Sequence, residues 1–323
     1  MLDLSAILAA PDDDAPRLAL ARKLGRDPLG AFIKLQCTSP GAPAAQKLLR
    51  DHYEDFVGPK VAAGIEAMSA RFERGFLDAI AFDHSTWGGL SGPKVVRCIG
   101  QQSLSLVRRV TFMNGAGGPD ASRTFNEAGA NLNGTEVKGP KIPAVRLLRD
   151  EVMQRVREVR GLDSDSTLEL AVGKGTLDLE VLGHFLSGSS SFPTGALRSE
   201  TVLKMKKAPG LPRLRALAVS HCRLDEVEAL AKAPLLARIE TLTFTTLPGR
   251  DAAAAVLAAT KLPVQRLAFV EQKFDFRLEV NSERALRLER AGSGWRAAIS
   301  VAPGRDQKEA TRGLEALLAS LKK

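Results

Sequence analysis

The residues of this chain that could do chemistry are four histidines, three cysteines, two glycine-rich stretches and one acidic triplet. His52, His84, His184 and His221 are scattered, and only His221-Cys222 brings two soft ligands together. Zinc needs further ligands at its own spacing, and a cysteine nucleophile needs its histidine beside it in space. Adjacent residues on a strand point to opposite faces, so this pair predicts neither. Gly173-Lys174-Gly175 and Gly115-Ala116-Gly117-Gly118 complete neither a phosphate loop nor a dinucleotide fingerprint, and read as turns. Asp12-Asp13-Asp14 lacks distal oxygen ligands at calcium-loop spacing. Directly after Pro11, its carboxylates suit a helix cap and first turn. The expectation is a non-enzymatic chain with no catalytic residue, no metal and no cofactor.

A different pattern dominates. One apolar frame is written three times, 25 residues apart: Leu214-x-x-Leu217-x-Val219, Ile239-x-x-Leu242-x-Phe244 and Val264-x-x-Leu267-x-Phe269. A fixed period of this length predicts a stacked solenoid, in which each unit buries its apolar edge on the next. Frame residues then point inward and the residues between them point to a concave face. That face is predicted to present Ala216, Ala218 and Ser220, then Thr241, Thr243 and Thr245, then Arg266, Ala268 and Val270. His221 and Glu271 fall at the strand-exit rim. The candidate partner-binding residues are therefore Ser220, His221, Thr241, Thr243, Thr245, Arg266 and Glu271.

Elsewhere, helices are predicted around Leu4–Leu8, after Asp12-Asp13-Asp14 up to Gly25, from Asp27-Pro28, over 44–56 and over 143–160. Strands are predicted at 76–83, 106–113 and Leu168–Val172. At the end, 276–280, 285–288 and 295–301 read as strands turned at Asn281-Ser282 and Gly292-Ser293-Gly294, before a helix over 306–321. The interval from Leu168 to Leu217, 49 residues, predicts a degenerate repeat between them. The fold class is thus α/β: an N-terminal helical module (1–70), an irregular repeat solenoid (71–275) and a strand-and-helix cap (276–323).

The totals narrow the partners. Net charge is +9, which suits nucleic acid, an anionic membrane surface or an acidic protein. The densest basic cluster is Lys204, Lys206, Lys207, Arg213 and Arg215, and 143–160 adds a basic helix. Aromatics are 5%, which disfavours stacking on single-stranded bases. Three distant cysteines do not make a disulfide framework and suit a reducing compartment, so a cytoplasmic location is expected. The first ten residues lack a signal-peptide pattern, and no long unbroken apolar run predicts a membrane span.

The unit Leu214-x-x-Leu217-x-Val219-x-x-Cys222-x-Leu224 resembles the leucine-rich repeat, whose strand ends at an Asn or Cys position. Leu247 and Gln272 depart from it in the next two units. The N-terminus, Pro11-Asp12-Asp13-Asp14-Ala15-Pro16-Arg17-Leu18 and then Asp27-Pro28-Leu29-Gly30-Ala31-Phe32-Ile33-Lys34-Leu35-Gln36, resembles the bacterial repeat-companion domain. Leu20-Ala21-Arg22-Lys23-Leu24 replaces that family's aromatic and acidic positions. The resemblance implies a helical module placed before leucine-rich repeats, and no activity. The leading expectation is a protein-interaction scaffold; the alternative is an electrostatic nucleic-acid binder.

Overall fold

The computed structural model describes residues 2–65, 70–82, 95–112, 143–162, 164–183, 197–219, 223–245, 253–274, 280–292 and 294–301, together with Arg312, Glu315 and Ala319. The predicted helix over 306–321 and the strand over 276–280 fall almost wholly outside these residues. Among the described residues no helix is long and apolar enough to cross a membrane.

The chain begins with short helices set by their caps. Asp13 accepts the Ala15 N–H at 2.9 Å and starts the helix Asp14–Leu24; Asp27 accepts the Leu29 N–H at 2.8 Å and starts Pro28–Thr38. Both match the prediction, as does the stop at Gly25. The single helix predicted over 44–56 is two, Pro43–Asp51 and Tyr53–Val57, because the chain leaves helical geometry at His52.

A mixed ten-stranded open sheet follows, with strands in chain order: β1 Arg71–Glu73, β2 Phe76–Phe82, β3 Arg109–Phe112, β4 Glu158–Arg160, β5 Val181–Gly183, β6 Ala216–Val219, β7 Thr241–Phe244, β8 Arg266–Phe274, β9 Val280–Ala291 and β10 Gly294–Val301. Pairs from β2 to β8 are parallel; β1, β9 and β10 pair antiparallel. The repeated frame sets the register: Leu217 lies opposite Leu242 and Leu242 opposite Leu267, while Val219, Phe244 and Phe269 form the next row. All six are at most 2% exposed. The Phe244 and Phe269 rings stack at 5.3 Å, and Phe82 and Phe112 do the same at 5.4 Å near the other end. Each parallel crossover carries helical or 3₁₀ turns that cover this apolar face, as parallel pairing requires.

Three readings are corrected. Leu168, Leu170 and Val172 are not a strand but part of the helix Ser164–Val172, with Val172 exposed. The strand of that unit is β5, 35 residues before β6 by register (Leu182 to Leu217). The stretch 143–160 is not one basic helix: it is the helix Pro143–Leu148, a 3₁₀ turn Glu151–Met153 and then β4. Asn281-Ser282 is no hairpin turn, since it lies within β9; the turn at Gly292 is as predicted, with Gly292 at φ +61° and Ser293 outside the described residues.

The apolar core crosses both predicted domain boundaries. One buried cluster runs from Val57 and Val61 through the strand rows to Leu286 and Leu288. The N-terminal segment also grips the rest of the chain directly: Phe32 meets Phe72 of β1 edge-on at 5.6 Å, and from the 3₁₀ turn Gln102–Leu104, Gln102 donates to the Leu2 carbonyl at 2.6 Å and Ser103 to the Val57 carbonyl at 2.6 Å.

The far end uses a recurring arginine. Arg238 donates to the carbonyls of Leu211 at 2.6 Å and Ala208 at 3.0 Å, tying one unit to the turn before it. Arg290, on β9, repeats this on Leu262 at 2.7 Å and Val264 at 2.8 Å, and lies 4.7 Å from the Trp295 ring centroid. Each guanidinium thus supplies charged donors to carbonyls of the turn before it. Arg290→Ala is expected to destabilise by about 2 kcal/mol, with Arg290→Lys recovering less than half, because an ammonium cannot fork to two carbonyls and stack at once. Urea denaturation of the three proteins checks this; equal stability of wild type and Arg290→Ala would exclude the bracing role.

Candidate functional site

The face of the sheet opposite the apolar rows carries four of the residues predicted for partner binding, Thr241, Thr243, Thr245 and Arg266. Because successive strand residues alternate sides, burying Leu217, Leu242 and Leu267 forces their neighbours onto the other face. Pairing then aligns those neighbours into cross-strand rows. One runs Glu158, Val181, Ala216, Thr241, Arg266, Glu289, Arg296; the next runs Arg160, Gly183, Ala218, Thr243, Ala268, Arg287, Ala298. All of these but Glu158 and Gly183 line a groove of about 570 Å³.

Thr241, Thr243, Thr245 and Arg266 are thus brought to one groove, as predicted. Thr245 is only 8% exposed; its hydroxyl donates to the Val219 carbonyl at 3.1 Å, so it shapes the floor more than it offers a free group. Glu271, predicted at the strand-exit rim, lies instead within β8, which runs on to Phe274, and pairs in register with Arg284. Ser220, His221 and Cys222 lie outside the described residues.

Three of the four arginines here escape the sequence reading. Arg160 lines one wall, and Arg287 and Arg296 line the other beside the predicted Arg266. Arg160 donates to Glu158, Arg266 approaches Glu289 at 3.5 Å, and Arg287 donates to the Ser300 hydroxyl at 2.5 Å. Both members of the Arg266–Glu289 pair are more than half exposed, so the pair contributes about 0–1 kcal/mol and exchanges readily with solvent. Arg296 is exposed and has no ion pair or hydrogen bond among the described residues. Alternation within β9 and β10 could have aligned Arg287 with Glu289 and Arg296 with Ala298. Which face they shared depended on the antiparallel reversal at the turn, and that is not readable from the period of the parallel units.

The alternative basic surface is partly neutralised. Arg213 pairs with Asp178 at 3.5 Å, and Arg215 sits between Glu180 at 3.6 Å and Glu240 at 4.0 Å. Lys204, Lys206 and Lys207 are exposed where the helix Ser199–Lys204 ends. Two arginines of the stretch 143–160 are taken up by the structure's own contacts: Arg149 donates to the Glu169 carbonyl at 2.9 Å and Arg155 to the Leu8 carbonyl at 3.3 Å.

At the other end a buried carboxylate organises the sheet edge. Asp78, 5% exposed at its side chain, accepts from Arg108 at 2.5 Å and Arg109 at 2.6 Å. Arg108 also pairs with Glu73, and Arg74 with Asp14 at 3.3 Å. Charges of both signs balance there, and the adjoining space of about 20 Å³ is near the size of one water. This is a fastening between helices and sheet rather than a binding site. Burial pushes the Cys98 thiol up to about 12 and the Cys37 thiol up to about 11, so both stay protonated and unreactive near neutrality. Among the described residues no three His, Cys, Asp or Glu side chains come together as metal ligands.

The chain matches no known protein-family model and no curated protein.

Proposed function

We propose that this protein is a cytoplasmic protein-interaction scaffold: a leucine-rich-repeat solenoid preceded by a helical module of the repeat-companion type, which binds a partner protein in the groove of its open sheet face. The carrying observation is the register. The 25-residue frame stacks its Leu and Phe rows underneath and thereby aligns Thr241, Thr243 and Arg266 in one groove. Repeat arrays present such continuous surfaces to other macromolecules. The groove's polar groups are hydroxyls, guanidiniums and the Glu289 carboxylate, which suit recognition. The alternative is nucleic acid held on Lys204, Lys206, Lys207, Arg213 and Arg215, where Arg213 and Arg215 stand in exposed pairs with Asp178 and Glu180.

The test is steric. Tagged full-length protein would retain a partner from native lysate after nuclease at high salt, and that partner would be remade pure. Thr243→Tyr, placing a ring over the groove floor, is expected to abolish binding of the pure partner while leaving the thermal transition unchanged. Undiminished binding by a folded Thr243→Tyr protein would move the site off this face.

A further inference from the structure

We infer that the groove's occupant is an acidic segment of a partner protein, laid across β4 to β10 with its carboxylates on Arg266 and Arg296 at one side and Arg160 at the other. The inference rests on the proposed role of the open face and adds the chemistry of the partner.

Charge complementarity carries it. Among the described residues four arginines line the groove with one carboxylate, Glu289, and a second carboxylate, Glu158, stands beside Arg160 at its edge. Arg296 has no protein partner among the described residues, so all its donors are available to a ligand. Arg266 holds Glu289 only through a long, exposed pair, which a ligand carboxylate can replace by forking to the guanidinium. Between the two walls the floor is small and mostly uncharged: Ala216, Ala218, Thr243, Ala268 and Val270. Such a floor accepts short apolar side chains and the backbone of a segment lying close to it.

The same features argue against nucleic acid. Among the described residues no aromatic side chain lines the groove for bases to stack on. The cations are not a continuous track. Arg160 is separated from Arg266 by the width of four strand spacings, about 19 Å. From β4 to β10 the face spans roughly 29 Å, the length of an extended peptide of about nine residues.

The test is a random peptide display of about that length on the full chain. The selected pool is expected to be richer in Asp and Glu than the input. A selected peptide labelled with fluorescein is expected to bind at least about tenfold more weakly to the Arg266→Glu, Arg296→Glu double variant, and to weaken with salt. Both side chains are exposed, so an unchanged melting curve will show that the variant is folded. A pool with no acidic excess, no enriched pool, or peptides indifferent to the double variant overturns the acidic assignment. If peptides so recovered are still lost on Thr243→Tyr, the open-face site stands and only its chemistry is wrong; if they are indifferent to Thr243→Tyr as well, the site itself is wrong. A fluorescent single-stranded oligonucleotide is titrated in parallel. Binding that Arg266→Glu, Arg296→Glu removes would assign the groove to nucleic acid and overturn the inference.

Discussion

Leu242→Asp will unfold the sheet, whereas Thr243→Asp, one residue along the same strand, will leave it folded. Leu242 is fully buried at the centre of a row, with Leu217 on one side and Leu267 on the other. Truncating such a leucine alone costs about 3–5 kcal/mol through lost burial and the cavity left behind. A carboxylate adds the penalty of a buried charge with no cation facing it, or of the proton it must take up instead. The total is comparable with the entire stability of an ordinary domain, about 5–15 kcal/mol. Thr243 is half-buried on the opposite face, where a carboxylate meets water and the groove arginines. Circular dichroism melts of the two variants therefore read the register directly. Equal tolerance of both would mean that the rows do not stack as described.

That register is the part of the architecture most legible in the sequence, and the reason is length. A unit that repeats at a constant period leaves the same residue at the same place three times, so Leu217, Leu242 and Leu267 identify one another. The capped helices were legible for a different reason: Asp13 and Asp27 satisfy N–H groups within two residues of themselves, so local chemistry sufficed. β4 and β5 had neither advantage. Three residues are too few to show alternation, and the intervals between equivalent strand residues there are 23 and 35 rather than 25. The apolar Leu168, Leu170 and Val172 therefore attracted the strand assignment, although the Ser-Asp-Ser-Thr run before them suits a helix start. The same loss of period hid half of the site. Thr241, Thr243 and Arg266 belong to the regular units and were placed on the face correctly. Arg160 belongs to an irregular unit, and Arg287 and Arg296 to the antiparallel end, so the groove's positive character emerged only from three-dimensional pairing.

The attachment of the N-terminal helices to the sheet is the feature a single methyl group can test. β1 and β2 are joined by Arg74 and Gly75, at φ +52° and +88°, a tight two-residue turn with both residues left-handed. Turn geometry alone favours Gly75, but packing makes the demand stricter. A Cβ at this position would lie 2.4 Å from Ile33 Cγ1 and 2.7 Å from Ile33 Cα. Ile33 is itself fully buried on the helix Pro28–Thr38, so the helix backbone rests against the turn. Gly75→Ala should destabilise by on the order of 3 kcal/mol, combining left-handed strain with overpacking. Limited proteolysis should then cut first within the N-terminal helices, because they must retreat from the turn while the stacked rows beyond β3 keep their own contacts. Shortening the opposing side chain should not help: in Gly75→Ala, Ile33→Ala the Ile33 Cα position still clashes, so the double variant should be no more stable than the single. Recovery of stability in the double variant would mean that only the far end of the isoleucine touches the turn. The helical module would then be resting on the sheet through side chains alone, and its position would no longer be dictated by backbone against backbone.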